Sequence, residues 1–271
     1  MMTAHDAQLH RSQDGPAPNP KLAPGTFTPR PQRASVAAMA VAQGRIEAKL
    51  MLRHGEQLLL NLVIPAALLV AAAIVPVFGD TDFHQLVPMV FAVATTSAGF
   101  TGQAIALAFD RRYGALKRTG ASGVPPWTII AGKIIGVLAT VAVQIIVLGA
   151  LAVALGWRVS ALGALCGLIT LLVGVAAFTA MGLFMGGTLS SEMVLALANL
   201  IWLVLMGVLG WVQYSGDVGD ADWWNAVPTV ALAGALTKAL ELSFHWQAWL
   251  SLVCWAGAAM AAAARWFRFE G

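Results

Sequence analysis

Charge is what this chain has least of. Only 11% of its 271 residues are Asp, Glu, Lys or Arg, against about 25% in soluble domains. With 59% hydrophobic residues and a mean hydropathy of +0.76, that excludes a water-soluble globular protein and leaves an integral membrane protein. Cysteine is almost missing as well. Cys166 and Cys254 both fall in apolar runs, with neither metal-ligand spacing nor a disulfide framework, and read as small buried hydrophobes. There is no Gly-x-x-x-x-Gly-Lys-Ser/Thr phosphate loop, so this chain does not bind ATP by that device, and there is no His-Glu-x-x-His zinc motif. His5, His10, His54, His84 and His245 are scattered. His84 and His245 read as solvated loop histidines, the alternative being haem or metal ligation on the outer face. Asp217, Asp220 and Asp222 lack the ligand count of a calcium loop and read as an acidic outer loop. No nucleophile–base set is visible, so a non-catalytic chain with no metal or cofactor of its own is expected. Within the apolar runs the only charges are Lys133 and Arg265, each near an end, and the absence of a buried acid argues against a proton- or ion-coupled carrier. The net charge of +3 reads as retained cytoplasmic Lys and Arg, not as a nucleic-acid footprint.

What is present is apolar sequence in long runs. A helix rising 1.5 Å per residue needs roughly 20 residues to cross a core of about 30 Å. Six stretches qualify: Leu58–Val77, Leu86–Phe109, Trp127–Leu155, Ala161–Met185, Met193–Val212 and Gln247–Trp266. None shows the alternating pattern of barrel strands, so an all-α integral membrane protein with six transmembrane helices is expected. Residues 1–34 are polar and carry Pro16, Pro18, Pro20, Pro24, Pro29 and Pro31. They read as a disordered, Pro-rich cytoplasmic tail without the apolar stretch of a secretory signal.

Charge placement predicts the orientation. With a cytoplasmic N-terminus, Arg45, Lys49, Arg53, Arg111, Arg112, Lys117, Arg118, Lys133, Arg265 and Arg268 share one side. The other side keeps Arg158 and Lys238 and gathers Asp80, Asp82, Asp217, Asp220, Asp222 and Glu241. Both termini are therefore expected in the cytoplasm of a multi-pass plasma or inner membrane protein. Trp157, Trp211, Trp223, Trp224 and Trp246 fall near the outer boundary, as an aromatic belt does.

Two segments lie outside the spans. Residues 35–57 predict an amphipathic cytoplasmic helix ahead of the membrane-spanning region 58–271. Met39, Ala42, Ile46 and Leu50 form its apolar stripe and Arg45, Lys49 and Arg53 its basic face, turned either to anionic headgroups or to a partner. Ala226–Phe244, too short to cross comfortably, predicts a re-entrant or interfacial outer helix before the last span.

The second run is unusually polar and small at Thr95, Thr96, Ser97, Gly99, Thr101, Gly102 and Gln103. These residues either bond helix to helix or wall a translocation path. Gly132-x-x-x-Gly136, Gly163-x-x-x-Gly167 and Gly182-x-x-x-Gly186 favour close helix packing without specifying a dimer. Glu192 is the one acid on its inner boundary. Between the second and third runs lies a compact basic island, Asp110-Arg111-Arg112-Tyr113-Gly114-Ala115-Leu116-Lys117-Arg118-Thr119-Gly120, which must emerge from the bilayer.

The island and its continuation to Val124-Pro125-Pro126-Trp127 resemble the loop between the second and third spans of membrane subunits of type-2 ATP-binding-cassette (ABC-2 type) exporters. Thr119 and Gly123 depart from that pattern. The six runs, the lead-in helix and the apolar outer segment match too, so the resemblance covers about residues 35 to 271. It implies a permease subunit of bacterial type, paired with a second permease subunit (a homodimer or related heterodimer) and seated on an ABC ATP-binding subunit that binds ATP and Mg. Arg111, Arg112, Tyr113, Gly114, Leu116, Lys117 and Arg118 would couple to that ATPase, with Leu116 as the apolar anchor. Thr95, Thr96, Phe100, Gln103, Asn199 and Trp202 would line the path. The implied activity is export of a drug or lipid, with polysaccharide export and a non-transporting scaffold or assembly factor as alternatives. Membrane lipids are the other expected partner, and nucleic acid is not one.

Overall fold

The computed structural model describes residues 34–53, 55–74, 83–121, 124–216 and 218–266. The tail through Arg33, the last residues of the first expected span (Val75–Val77), Asp80, Asp82, Gly123, Asp217 and Arg268 lie outside the described residues. Among those described, every regular element is helical. They are α1 (Val36–Arg53), α2 (Gly55–Ile74), α3 (Phe83–Thr96), a π-helical turn (Ser97–Gly102), α4 (Gln103–Arg112), α5 (Ala115–Ala121), α6 (Pro126–Ala154), α7 (Ala161–Thr188), α8 (Ser191–Ser215), α9 (Pro228–Leu240) and α10 (Trp246–Trp266).

Five helices are long and apolar enough to cross a membrane: Phe83–Arg112, Trp127–Ala154, Ala161–Thr188, Ser191–Ser215 and Trp246–Trp266. The first runs α3, the π turn and α4 together as one rod. The first expected span falls on α2, whose apolar part, Asn61–Ile74, is shorter. Local sequence sets the ends. Ser160 caps α7 by accepting a hydrogen bond from the Gly163 amide at 3.0 Å, and Ser190 caps α8 through the Met193 amide. Pro126 opens α6, where its missing N–H costs nothing.

Packing rests on small residues, because in lipid the apolar effect alone does not bring helices together. All three Gly-x-x-x-Gly pairs are used inside the chain. A Cβ on Gly132 or Gly136 would strike Gln43, Glu47 and Met51 of α1, and one on Gly44 would strike Ile135 of α6. Gly182 and Gly186 lie against the backbone carbonyls of Phe100 and Ala104. Gly163 and Gly167 receive Leu240 of α9, and Gly174 receives Leu232.

Pairing with α6 orients α1. Its inward side carries Gln43, Gly44, Glu47 and Met51, while Ile46 and Leu50 are half exposed and Arg45, Lys49 and Arg53 point outward. The predicted apolar stripe therefore does not pack on the protein.

The segment after α8 folds back into the bundle. The short helical turns Val218–Asp220 and Asp222–Ala226 lead to a bend at Ala226–Pro228, level with the middle of its neighbours. Trp255 Nε1, nine residues into α10, donates to Ala226 O at 2.9 Å, and Thr229 Oγ1 donates to Leu205 O of α8 at 3.3 Å. From there α9 returns to bring Leu240 beside Gly163 at the start of α7. Every residue from Pro228 to Thr237 is buried, because its Ala- and Gly-rich surface lets α3, α7 and α10 close on it. The Lys238–Asp220 ion pair, 3.2 Å apart, ties the two limbs of this hairpin. The segment expected as a re-entrant or interfacial outer helix is thus packed inside the bundle. Trp157 also departs from the expected belt: at 7% exposure it packs with Leu69, Leu86 and Leu148.

Candidate functional site

The basic island sits where α4 ends. Its first three residues bind three different parts of the chain. Asp110 Oδ2 lies 2.5 Å from Lys133 Nζ on α6, which also faces Glu47 of α1 at 3.4 Å. Lys133 is only 2% exposed, and Gln43 Nε2 donates to Glu47 Oε1 at 3.0 Å. A lysine taken this far from water needs such partners to remain charged. Arg111 is buried in turn, and its Nη1 donates to Gly186 O at 2.8 Å and Leu189 O at 2.9 Å. These are carbonyls at the end of α7, where a cation meets the negative end of the helix dipole. Arg112 reaches Ser191 Oγ at 3.1 Å and pairs with Glu192, so it holds the start of α8. Residues 110 to 112, with Lys133, thus form a hub joining α1, α6, α7 and α8 to the rod of α3 and α4.

Beyond the hub the chain turns at Gly114, whose φ of +68° is a conformation glycine takes without a Cβ penalty. The short helix α5 follows. Leu116 on it is 5% exposed and packs with Leu107, Ile129 and Leu183. Expected as an anchor for a partner, Leu116 instead anchors α5 to its own chain, because Leu107, Ile129 and Leu183 leave an apolar niche beneath it. Tyr113 is 66% exposed and stacks on Phe109 with ring centroids 6.0 Å apart. Arg118 Nη1 donates to Tyr113 O at 3.0 Å, closing the turn. The outward surface of the island is therefore Tyr113, Lys117 and Arg118, with half-exposed Arg112 beside them.

The residues expected along a path are not brought together within one chain. Thr95, Thr96 and Gln103 are buried among the chain's own helices. Thr96 Oγ1 donates back to Ala92 O at 2.7 Å, and Gln103 Nε2 points to Met51 Sδ at 3.6 Å. Nearby, Ser97 Oγ donates to Asn61 Oδ1 at 3.0 Å and Gln144 Nε2 to Ala94 O at 3.3 Å. Phe100, on the π turn, lines a cavity instead. Asn199 is exposed on α8 with Nδ2 donating to Leu195 O at 2.7 Å, and Trp202 is half-buried. Glu47 was missed by the sequence reading. The signal was Lys133 itself, a lone charge in an apolar run that required a partner. Among the described residues no cluster of three metal-ligating side chains occurs.

Long apolar helices, a buried hairpin after α8 and a basic loop tied to the helix ends together define a multi-pass membrane protein. The chain belongs to the ABC-2 type transporter family, whose model matches residues 42–240, from within α1 to the last residue of α9. It is a membrane-spanning permease component of the kind that works with an ABC ATP-binding partner. No curated protein and no solved structure gives a significant match.

Proposed function

We propose that this chain is the permease subunit of an ATP-driven exporter that moves a hydrophobic or amphipathic compound, a drug or a lipid, out of the cytoplasm or inner leaflet. A separate subunit binds ATP and Mg, and a second permease chain completes the path. In this reading α2 is the sixth span, both termini are cytoplasmic, and α1 lies at the inner interface with its basic face toward headgroups.

The observation that carries the proposal is the hub. A motor pressing on Tyr113, Lys117 and Arg118 presses on a helix whose base, Asp110–Arg112, is bonded to α6, α7 and α8, and Lys133 carries the link on to Glu47 of α1. A displacement there reaches the bundle as a change between two packed arrangements rather than as loop bending. Apolar cargo is supported by the cavity at Phe100, which has no charged wall.

The test is copurification followed by transport. The tagged chain should bring down an ATP-binding subunit, and vesicles holding both should take up a fluorescent amphiphile only with ATP. Charge reversal at Lys117 and Arg118 should abolish uptake while leaving the chain inserted. An intact chain that captures no ATPase, or uptake unaffected by the reversal, refutes it.

A further inference from the structure

A second feature lies away from the hub, along α10. Helices α8 and α10 stand apart and are joined through α7 and the hairpin after α8. One cavity lies between them, and a second, between α10 and the hairpin turn, follows it along α10. One, of about 620 Å³, is walled by Phe100, Phe184, Met185, Leu205, Val227 and Ala262, and Thr188 is the polar side chain on its wall. The other, of about 580 Å³, is walled by Asp222, Trp223, Asn225, Trp246, Gln247 and Ser251. Both touch Ala226, Trp255 and Ala258, so they meet at one waist. The Trp255 indole is fixed there by its bond to Ala226 O at 2.9 Å.

The groove runs from Trp246 to Ala262, about 24 Å of helix at 1.5 Å per residue. Half of a bilayer's hydrocarbon core is about 15 Å, and its headgroup layer adds roughly 5–7 Å. With its headgroup at the start of α10, the acyl chain of one lipid therefore reaches along α10 to the waist at Trp255. Polarity changes along it in the sense a lipid requires. The Phe100 end is hydrocarbon-like, and the Trp246 end offers two indoles (Trp223 and Trp246) with a carboxylate and two amides. Indole faces attract a cation that carries its own apolar substituents, and Asp222 supplies the opposite charge. Asp222 is also held at φ +41°, outside the usual range for a non-glycine residue.

We infer that this groove is a binding site for one bilayer phospholipid with a cationic nitrogen in its headgroup, its chain along α10 toward Phe100 and its headgroup among Trp223, Trp246 and Asp222. The site lies within one chain and does not depend on the transport reading. Cys254 on its wall is exposed, which allows the competing occupant, a second copy of the chain, to be distinguished.

The experiment uses the full chain in nanodiscs and phosphatidylcholine with a photoreactive diazirine on its acyl chain. Labelling should concentrate on α10 and the second half of α7. Ala258→Phe, which puts a ring at the waist, should lower it about tenfold. Ala262→Phe, at a half-buried position, is the second filling variant should the first reduce expression. Trp223→Ala should lower the preference for phosphatidylcholine over phosphatidylglycerol about fivefold while leaving total labelling near wild type. Labelling spread evenly over all lipid-facing helices and unchanged by the variants would mean bulk lipid only and overturn the site. So would efficient Cys254–Cys254 cross-linking between chains, which would show a second copy covering the groove.

Discussion

Lys133 Nζ lies 2.5 Å from Asp110 Oδ2, and this single contact joins the first turns of α6 to the residue with which the basic island begins. Glu47 on α1 completes the set at 3.4 Å. Two acids around one buried lysine tie α1, α4 and α6 together. The pair is asymmetric: Lys133 is 2% exposed, whereas the Asp110 side chain is 38% exposed. Loss of the lysine leaves partly hydrated acids, and loss of the acids leaves a buried cation.

The first prediction follows from that asymmetry. Asp110→Asn combined with Glu47→Gln should cost about 3–5 kcal/mol, because it strands the buried Lys133 charge. Adding Lys133→Met should restore most of the loss, since a methionine fits the same space without a charge. Thermal unfolding of the three proteins in one detergent checks this. A triple variant no more stable than the double variant would show that the lysine is not the stranded group.

A contrast among glycines gives the second. Gly186→Ala puts a Cβ 2.4 Å from the Ala104 carbonyl oxygen, which backbone cannot yield cheaply, whereas Gly207 on α8 has nothing within 4 Å. Gly186→Ala should destabilise by about 1–3 kcal/mol by forcing α7 off α4. Gly207→Ala should stay within about 0.5 kcal/mol of wild type, as surface changes do. Equal stabilities in an unfolding assay would refute the close approach of α7 and α4.

These two cases show what was legible in the sequence. Composition and run length carried the membrane class and the long helices, because both depend on residues near one another in the chain. The Asp110–Lys133–Glu47 set and the destinations of the Gly-x-x-x-Gly pairs depend on which helices become neighbours, which spacing alone does not encode. The same limit explains Leu116. On a short basic helix it reads as an outward anchor, and only the niche formed by Leu107, Ile129 and Leu183 turns it inward. Arg111 is parallel, its charge consumed by the end of α7.

Orientation supplies the third prediction. Tyr113 is 66% exposed in the island and Tyr214 is 86% exposed at the opposite end of the bundle. With Cys166 and Cys254 replaced by serine, Tyr113→Cys and Tyr214→Cys should react with a membrane-impermeant maleimide from opposite sides. In intact cells Tyr214→Cys should be labelled and Tyr113→Cys protected until the membrane is opened, as the clustering of basic residues requires. Labelling of both from one side would break the topology.

The last prediction separates coupling from folding within the island. Leu116→Glu would bury a carboxylate among Leu107, Ile129 and Leu183, so it should destabilise the loop end of the bundle by about 2 kcal/mol or more. Its loss of transport would then carry no information about a motor. Lys117→Glu with Arg118→Glu alters two exposed side chains, at the cost of the exposed Arg118–Tyr113 O bond, and should leave unfolding within about 1 kcal/mol of wild type. If the island is a docking surface, that double reversal should weaken capture of the ATP-binding subunit, and the wild-type capture should itself weaken as salt rises, because exposed charges are screened over about 10 Å at 0.1 M. The two variants must therefore fall in different quadrants, one unstable and the other stable but unpaired. A stable double reversal that still binds its ATPase at every salt concentration would reduce the island's outward charges to markers of membrane orientation.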